Sequence, residues 1–417
     1  MRRPIKVVFL TFYFEAWDAL AEVHRLMAGD GRFDVSVVAV ARKLTGDAGY
    51  GGVAEVSAFF NGLGVRHLVN ADLAELAPDY IFVNYPWQRN YAPQYRPDVL
   101  AGIGRVVYVP YYSLPLVQEP VDGVNPASGF EPVAAHLYTQ RMHQIASLVF
   151  VQDKFVRDAY AELERGAEHV HFVGSTKLDA LVEEAEQFAI SGGLAVRPIK
   201  TLVWAPHHSY SSHWLNFGNF AESRGAMLEW AREHSDVNVI LRPHPFMLGT
   251  LLDRSVMSAN ELDEWLATWN ALSNTSIDSE SSTAALFSTA DYLLTDGISY
   301  LAEWPLSVGR PAIFLEHEGH WPFTELGQIC ADAAVKIRSV AELNGALIAA
   351  ALPMGAELDR LRAVAMPFAG ESTEKIVEVV VQNSTSGVGG ALPALVDVHA
   401  GTEVAWELAP GREPLDK

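Results

Sequence analysis

Short runs of consecutive apolar residues recur along this chain and alternate with longer segments of helical periodicity. In the first half these runs cover residues 6–11, 34–40, 80–84, 106–110, 148–152 and 170–173. Amphipathic segments such as 16–27 and 154–165 lie between them. A strand that is apolar at every position is buried on both faces, as in a parallel sheet covered by helices on both sides. The alternation therefore predicts an α/β fold with Rossmann-like organisation.

The alternation pauses after residue 178 and begins again at residue 201. The pause holds a charged helical segment followed by Ser191-Gly-Gly, and the later runs cover residues 201–204, 237–241, 292–295 and 312–315. A chain of 417 residues is long enough for two domains of ~150–200 residues. We predict a first domain over 1–178, a linker over 179–200, a second domain over 201–365, a helix over 366–383 and a flexible acidic tail over 384–417.

The charge of the chain restricts its partners. The formal net charge is -21, and a field of that sign repels nucleic acid and anionic membranes. We expect no nucleic-acid partner, and a phosphate ligand would need a local cluster of donors. The single cysteine, Cys330, excludes an internal disulfide framework and suits a reducing cytoplasm.

The amino-terminal segment has two interpretations. Met1-Arg-Arg followed by Val7-Val-Phe-Leu loosely imitates a signal peptide, but Glu15 and Asp18 interrupt the apolar region, which equally fits a first buried strand. No apolar run approaches the ~20 residues of a membrane span. We therefore predict a cytoplasmic protein and leave open a peripheral contact with the inner face of the cell membrane.

Histidines and an arginine follow two strands of the second predicted sheet. The stretch WAPHHSYSSHW, from Trp204 to Trp214, places His207 and His208 after the strand at 201–204. About thirty residues later, Arg242-Pro-His244-Pro follows the strand at 237–241. Ligands of doubly wound sheets bind at the carboxyl ends of the strands, where these loops lie. An isolated histidine after a strand is more often a surface or core residue, which is how we interpret His213 and His234.

A third loop follows the strand at 292–295 and reads Asp296-Gly297-Ile-Ser299-Tyr-Leu-Ala-Glu303. If a helix begins near Ser299, its amino-terminal NH groups and the serine hydroxyl can bind a phosphate. Glu303 lies four residues further on the same helical face and can accept from ribose hydroxyls. The alternative is that Asp296 and Ser299 only cap the helix.

Other chemistries lack their motifs. Gly297-Ile-Ser-Tyr-Leu lacks the last glycine of the hydrolase motif G-x-S-x-G, and the chain has no Walker loop. Thr11-Phe-Tyr-Phe stands where a dinucleotide-binding protein carries G-x-G-x-x-G. Glu316-His-Glu-Gly-His320 offers metal ligands, but at a spacing that matches no strong zinc signature. We predict no metal and no cofactor.

The three loops together carry a family resemblance. The segments WAPHHS, ILRPHPF and LLTDGISYLAEWPLSVGRPAIFL, preceded by VGSTKLD, resemble the CDP-glycerol glycerophosphotransferase family of teichoic-acid-type polymerases. The resemblance covers roughly residues 80–320. It implies a GT-B-like fold with two Rossmann-like domains facing a cleft, the acceptor on the amino-terminal side and the nucleotide on the carboxyl-terminal side. It also implies a CDP-activated donor and a polymer or glycan acceptor.

By position, the resemblance assigns roles to individual residues. Arg242 and His244 would hold or activate the donor diphosphate, Ser299 would bind phosphate and Glu303 the ribose. Lys177 and Asp179 match a segment at the domain junction. We predict that Lys177, Asp296 and Gly297 also belong to the donor-binding site. Two departures leave the acceptor and the base open: Val109-Pro-Tyr-Tyr-Ser stands where the family has a His-Gly pair, and His207-His208 replaces a threonine-aromatic pair.

We hypothesise that an acceptor hydroxyl attacks the phosphorus of a CDP-activated glycerol phosphate or related polyol phosphate, with CMP as leaving group. Arg242, Ser299 and a protonated His244 would stabilise the charge, and His207 or His208, with a near-neutral pKa, would take the proton. One alternative is a GT-B glycosyltransferase that uses a nucleotide sugar for envelope polysaccharide. The other is a non-catalytic nucleotide- or glycan-binding protein.

Overall fold

The structure, a computed structural model, describes residues 3–43, 49–192, 199–279 and 281–385. Its strands are β1 Ile5–Thr11, β2 Phe33–Ala39, β3 Leu68–Val69, β4 Tyr80–Val83, β5 Arg105–Tyr108, β6 Glu119–Pro120, β7 Phe130–Glu131, β8 Leu148–Val151, β9 Val170–Phe172, β10 Lys200–Ala205, β11 Val237–Leu241, β12 Thr275–Ile277, β13 Tyr292–Thr295, β14 Ile313–Leu315 and β15 Val335–Ile337.

The helices, in chain order, are α1 Asp18–Ala28, α2 Val53–Gly62, α3 Leu73–Leu76, α4 Pro97–Ala101, α5 Arg141–Ile145, α6 Lys154–Ala161, α7 Thr176–Gly192, α8 Phe220–Glu233, α9 Met247–Asp253, α10 Ala259–Asn270, α11 Thr283–Thr289, α12 Tyr300–Val308, α13 Glu325–Asp332, α14 Leu343–Ala350, α15 Ala356–Ala365 and α16 Ser372–Thr385.

The chain divides into two units. Unit 1 holds Met1–Pro115, Val133–Ala180 and Phe368–Lys417, and unit 2 holds Leu116–Pro132 and Leu181–Pro367. The predicted boundary near residue 178 lies close to one of these crossings. The predicted linker over 179–200 begins inside α7, and the predicted tail lies outside the described residues from residue 386 onward.

The sheet of unit 1 has the strand order β3-β2-β1-β4-β5-β8-β9, and every neighbouring pair in it is parallel. Along β1 the side chains alternate between two buried faces: Val7 and Phe9 pack in a cluster that includes Ile376 of α16, while Val8 and Leu10 pack in a cluster with Val156 of α6. Burial on both faces explains why β1 is apolar at the consecutive positions Val7 to Leu10.

The sheet of unit 2 has the order β12-β11-β10-β13-β14-β15 and is also parallel. Its central strand β10 is buried from Thr201 to Ala205. The Trp204 ring packs 5.3 Å from Phe220 of α8 and 5.8 Å from Trp269 of α10, measured between ring centroids. These aromatic contacts hold helices over one face of β10.

Two segments pack away from their sequence neighbours. The segment Leu116–Pro132, which contains the β6–β7 hairpin, belongs to unit 2, where the Leu116 carbonyl accepts from Thr324 NH at 2.9 Å. Helix α16 returns to unit 1, where Asn383 Oδ1 accepts from the Tyr80 hydroxyl at 2.7 Å. Both units are therefore assembled from segments distant in sequence.

The predicted fold class is confirmed: the protein is α/β, with two Rossmann-like domains, each built on a parallel sheet. Within the described ranges, no helix is both long and apolar enough to cross a membrane.

Candidate functional site

Three loops of unit 2 leave the same edge of its sheet. Strand β10 pairs in parallel with β11 on one side and with β13 on the other, with Trp204 opposite Leu241 and Ala205 opposite Thr295. The carboxyl ends of parallel strands lie at one edge, so the loops beginning at Pro206, Arg242 and Asp296 start side by side.

Three imidazoles from two of these loops form a cluster. The ring centroids of His208 and His244 are 4.0 Å apart, those of His207 and His208 are 4.5 Å apart, and those of His207 and His244 are 5.5 Å apart. Phe217 and Phe246 flank the cluster at about 6 Å. The structure thus brings together the three histidines that the sequence singled out.

Backbone NH groups fix the tautomers of two of these rings. The Ser209 NH donates to His207 Nδ1 at 3.3 Å, and the Phe246 NH donates to His244 Nδ1 at 3.2 Å. A backbone NH can only donate, so each Nδ1 is an acceptor and the ring proton of the neutral imidazole lies on Nε2. His207 and His244 therefore present NH donors at Nε2, and His208 is the ring of the cluster that remains suited to accept a proton.

Burial keeps two of the imidazoles neutral. It lowers the pKa of His207 well below its usual value, helped by the neighbouring His208. Burial, together with the charge of Arg254, lowers the pKa of His208 to about 4. The expected near-neutral pKa for both histidines is therefore wrong, because the rings are half-buried among neighbouring side chains instead of lying at an open loop. A bound phosphate would oppose this effect, since a nearby negative charge stabilises the imidazolium.

Asp296 holds two loops of the cluster together. Its carboxylate accepts from His207 NH and from Asn219 NH, both at 2.5 Å, and the residue is buried. Burial raises the pKa of Asp296 to about 7, although these backbone hydrogen bonds favour the charged form. Asp296 thus ties the start of the histidine loop to the start of α8 and acts as a positioning residue.

The guanidinium of Arg242 is held by protein groups. It lies 3.3 Å from Asp278, donates to the Ser281 carbonyl at 2.8 Å and hydrogen-bonds the Tyr300 hydroxyl. These contacts place Arg242 between the loop after β12 and the first turn of α12. The predicted binding of the donor phosphate by Arg242 requires guanidinium NH groups that these three partners do not occupy.

The predicted site residues of the loop after β13 differ in their exposure. Ser299 is the exposed N-cap residue of α12. Its side chain makes no capping hydrogen bond to the NH groups of the first turn. Glu303 is 3% exposed and interacts with Tyr300, which places it inside the unit. Gly297 donates its NH to Thr295 Oγ1 at 2.9 Å. A Cβ at Gly297 would lie 3.6 Å from His207, so glycine allows the close approach of this loop.

Lys177 and Asp179 lie in unit 1, at the start of α7. The Lys177 ammonium is 3.2 Å from the Asp18 carboxylate, and Asp179 accepts from Ser372 NH at 3.1 Å. The assignment of Lys177 to donor binding remains a prediction.

One residue that the sequence analysis missed lies near the cluster. Arg254, at the C-cap of α9, is exposed and close enough to lower the pKa of His208. Its position in the sequence carries no motif, because it approaches His208 only through the fold of α9.

His320, which the sequence analysis considered as a metal ligand before predicting no metal, packs inside unit 2. His320 Nδ1 contacts the Trp321 carbonyl at 2.6 Å, and its ring stacks on Phe217 at 4.5 Å. Across the residues that the structure describes, no group of three His, Cys, Asp or Glu side chains is arranged to hold a metal ion.

A second set of side chains lies at the carboxyl edge of the sheet in unit 1. The aromatic set, defined as Tyr13, Tyr85, Trp87, Tyr111 and Tyr112, follows the neighbouring strands β1, β4 and β5. The ring centroids of Tyr13 and Tyr85 are 4.8 Å apart, and those of Tyr85 and Tyr111 are 5.4 Å apart. The chain leaves β1 towards β2 on one side and returns to β4 on the other, so the set lies at the topological switch point, where ligands bind in such sheets.

The sequence already contained the signal for this set. The stretches Thr11-Phe-Tyr-Phe and Val109-Pro-Tyr-Tyr-Ser stood out only as departures from known motifs. The structure shows that the Tyr13 ring of the first lies 5.9 Å from the Tyr111 ring of the second.

The fold is similar to that of several solved enzymes. UDP-GlcNAc 2-epimerase from Neisseria meningitidis, solved bound to UDP-GlcNAc, matches with a TM-score of 0.55 and 14% identity over 91% of this chain and 100% of its own. The Methanocaldococcus jannaschii enzyme in complex with UDP-GlcNAc and UDP matches with a TM-score of 0.54 and 14% identity, over 91% and 100%. A variant of the wall teichoic acid polymerase TagF matches with a TM-score of 0.51 and 12% identity, over 92% and 89%.

These similarities show the fold. The neighbours are GT-B enzymes, as expected for two Rossmann-like domains. No protein-family model matches the sequence, and no curated protein matches it either.

Proposed function

We propose that the protein is a GT-B transferase that moves a group from a nucleotide-diphosphate donor to a hydroxyl of a cell-envelope polymer or glycan. The observation that carries the proposal is the cluster of His207, His208 and His244 at the carboxyl ends of β10 and β11. Two of its rings present Nε2–H donors and the third is available as a base. Donors of this kind bind phosphate oxygens, and a neutral imidazole beside them can take a proton.

The donor that the sequence motifs favour is CDP-glycerol or another CDP-activated polyol phosphate. In that reaction the acceptor oxygen forms a bond to the β-phosphorus, the bond from this phosphorus to the bridging oxygen breaks, and CMP leaves with that oxygen. His208 takes the proton of the acceptor hydroxyl, while the Nε2–H groups of His207 and His244 and the first turn of α12 bind the phosphate oxygens. Such a transfer depends on positioning and charge stabilisation more than on covalent help.

A second donor class has its own support, because two of the similar structures were solved with UDP-GlcNAc. With a nucleotide sugar, the acceptor attacks the anomeric carbon and the nucleoside diphosphate leaves. The identity of the released nucleotide therefore separates the two reactions.

The acceptor is proposed to bind at the aromatic set of unit 1. Aromatic rings at a switch point offer flat apolar faces to a sugar or polyol chain. The charged residues beside the set are paired, with Arg42 2.8 Å from Glu15 and Lys177 3.2 Å from Asp18. A site of balanced charge suits a neutral sugar or polyol segment better than a polyanion.

The test begins with binding. Melting temperatures are measured with CDP, CMP, UDP, CDP-glycerol and UDP-GlcNAc, since a ligand at 100 times its Kd stabilises the protein by ~2.7 kcal/mol. The ligands that bind are then incubated with envelope glycan acceptors, and the released nucleotide is identified by mass spectrometry. Release of CMP indicates phosphate transfer, and release of UDP with a sugar linked to the acceptor indicates glycosyl transfer.

Three results would reject the proposal. The first is that no nucleotide shifts the melting temperature. The second is nucleotide binding with no acceptor-dependent release, which would support the non-catalytic protein instead. The third is conversion of UDP-GlcNAc to its epimer without an acceptor.

A further inference from the structure

A cavity in unit 1 is lined mainly by positively charged side chains, although the chain as a whole is negatively charged. It has a volume of about 420 Å³ and lies between α6, β9 and α16. Lys154 and Arg157 come from α6, Lys375 and Glu378 come from α16, and His171 comes from β9. With the imidazole neutral, three cations and one carboxylate line the cavity, in a chain whose formal net charge is -21.

The fold explains how the cations meet. Strand β9 is the last strand of its sheet, beside β8. Helix α6 packs on one face through Val156, and α16 packs on the other face through Ile376. The two helices therefore extend beyond the sheet edge from opposite faces, and their cations converge over β9.

The side-chain contacts leave these cations available to a ligand. Lys154 Nζ lies over the Phe155 ring at 4.8 Å, and Arg157 is 3.9 Å from Asp158, the outer limit of an ion pair. Lys375 is 3.3 Å from Glu371, whose side chain is 66% exposed. Ion pairs that are open to solvent on at least one side contribute little, so an anion with several oxygens can displace them.

Two further contacts favour an anion in the cavity. Arg157 lies close enough to His171 to lower the pKa of the imidazole, although burial is the larger cause. Arg157 and His171 both line the cavity, where the imidazole can also donate. The single carboxylate of the cavity, Glu378, interacts with Arg32 outside it, which offsets part of its repulsion.

We propose that this cavity binds a phosphate-bearing anion. Arg157 and Lys154 contact the phosphate oxygens from one side, and Lys375 contacts them from the other. Guanidinium and ammonium groups are the side chains that bind phosphate most strongly. The phosphate belongs either to a soluble phosphorylated molecule or to the headgroup of an anionic phospholipid. The site lies entirely in unit 1 and is separate from the histidine cluster of unit 2.

The experiment has a soluble arm and a lipid arm. Inorganic phosphate is titrated into the full chain at low salt, followed by calorimetry and by the NMR signals of the histidine rings. Flotation is measured with phosphatidylcholine vesicles that contain or lack phosphatidylglycerol. We expect saturable binding in at least one arm, weakened at least tenfold by Arg157→Glu and by Lys154→Glu. Phosphate binding should also raise the pKa of His171, because a negative charge would then lie beside it.

Arg66→Glu is the matched control, because Arg66 is an exposed cation of unit 1 outside the cavity and the change in charge is the same. Melting curves establish that the variants are folded, which is expected because Lys154 and Arg157 are exposed. Saturable phosphate binding that Arg157→Glu and Lys154→Glu weaken identifies a soluble ligand of the cavity, and binding only to phosphatidylglycerol vesicles identifies a headgroup. Binding that both variants leave unchanged would contradict the proposal. Binding in neither arm, or equal loss with Arg66→Glu, would overturn the proposal.

Discussion

At the residue scale, His208 differs from its two neighbours because, among the described residues, no backbone NH donates to its ring nitrogens as seen for His207 and His244. We expect His208→Ala to lower kcat by about 10²–10⁴-fold, the usual contribution of a general base, with the donor Kd changed less than threefold. Steady-state kinetics and donor titration measure the two quantities separately.

His213→Ala is the control for His208, because His213 belongs to the same loop but is exposed and contacts the Val124 carbonyl. Its kcat should equal that of the parent protein. If His208→Ala retains full kcat, another group takes the proton and the assignment fails. If the donor Kd rises while kcat falls, His208 binds the donor instead.

The buried carboxyl of Asp296 predicts a pH dependence of stability. Its pKa is raised to about 7 in the folded chain, whereas an unfolded aspartate titrates near 3.8. The folded state therefore holds more protons between these pH values, and stability is lost as pH rises towards 7. One pKa unit corresponds to ~1.4 kcal/mol, so the loss should exceed that amount.

The comparison with Asp296→Asn isolates this effect. Asparagine does not titrate, so the difference in free energy of unfolding between parent and variant should change between pH 4.5 and 7.5. The buried histidines titrate in both proteins and cancel in the difference. Urea unfolding at several pH values gives the two curves, and parallel curves would contradict the raised pKa.

The sequence identified the residue types of this site but not their states. The position of His207, His208, His244 and Asp296 after buried strands follows from local apolar runs, which the sequence displays directly. The tautomers and pKa values depend on backbone donors and on burial. Asp296 accepts from Asn219, which is 77 positions away, and nothing in the local pattern marks such a pair.

At the element scale, the central strands of the described sheets were predictable, whereas among their edge strands only β9 was predicted, at residues 170–173. The runs at 6–11 and 201–204 match β1 and β10 closely because both are buried on two faces. The short strands β3 and β12 were missed. Leu68 and Val69 of β3 are 43% and 49% exposed, and β12 is mostly exposed. A strand at the border of a sheet loses the continuous apolar pattern on which the prediction rested.

The histidine loop is closed at Gly218, whose NH donates to the Ser209 carbonyl at 2.7 Å. A Cβ there would lie 2.8 Å from that carbonyl and 2.6 Å from the Tyr210 ring. Gly218→Ala should therefore displace the loop, destabilise the protein by about 1–3 kcal/mol and weaken donor binding. Urea unfolding and donor titration measure both effects.

Gly225→Ala is the matched control, because Gly225 lies inside α8 and a Cβ there meets nothing within 4 Å. Alanine in a helix interior is favoured over glycine, so this variant should gain about 0.5–1 kcal/mol. Unchanged stability and donor binding in Gly218→Ala would show that the loop can move without consequence.

The aromatic set of unit 1 is the proposed binding site of the acceptor. Tyr85→Ala removes the ring that contacts both Tyr13 and Tyr111. We expect the KM for the acceptor to rise at least tenfold, with the donor Kd unchanged, because aromatic stacking is lost only on the acceptor side. Tyr50→Ala, an exposed tyrosine of unit 1 outside the set, should leave both values unchanged. A rise in the donor Kd alone would contradict the assignment.

At the scale of the whole molecule, the chain passes between the two units after residues 115, 132, 180 and 367. Only the passage near 180 coincides with a change in the sequence pattern. The return of α16 to unit 1 and the inclusion of Leu116–Pro132 in unit 2 depend on contacts between distant segments. Such contacts leave no periodicity in the sequence of either segment. The sequence therefore predicted two domains that are each continuous along the chain.

The segment Leu116–Pro132 packs closely against α13. Gly327 of α13 lies against it so closely that a Cβ would be 1.9 Å from the Leu116 carbonyl oxygen. That oxygen also accepts from Thr324 NH, so it cannot retreat without losing a hydrogen bond. Gly327→Ala should therefore detach the segment from unit 2 and cost several kcal/mol, roughly the upper range for a single substitution.

Gly345→Ala in α14, where a Cβ meets nothing within 4 Å, should instead be neutral or stabilising. Hydrogen exchange provides the decisive measurement, because Gln118 NH donates to the Pro322 carbonyl at 2.9 Å and should lose protection only in Gly327→Ala. If the segment stays protected and the free energy of unfolding is unchanged, unit 2 accommodates the added methyl group and the predicted detachment is wrong. Exchange confined to that segment would show that unit 2 keeps its fold without it, whereas exchange throughout β10 to β15 would show that the segment completes the unit.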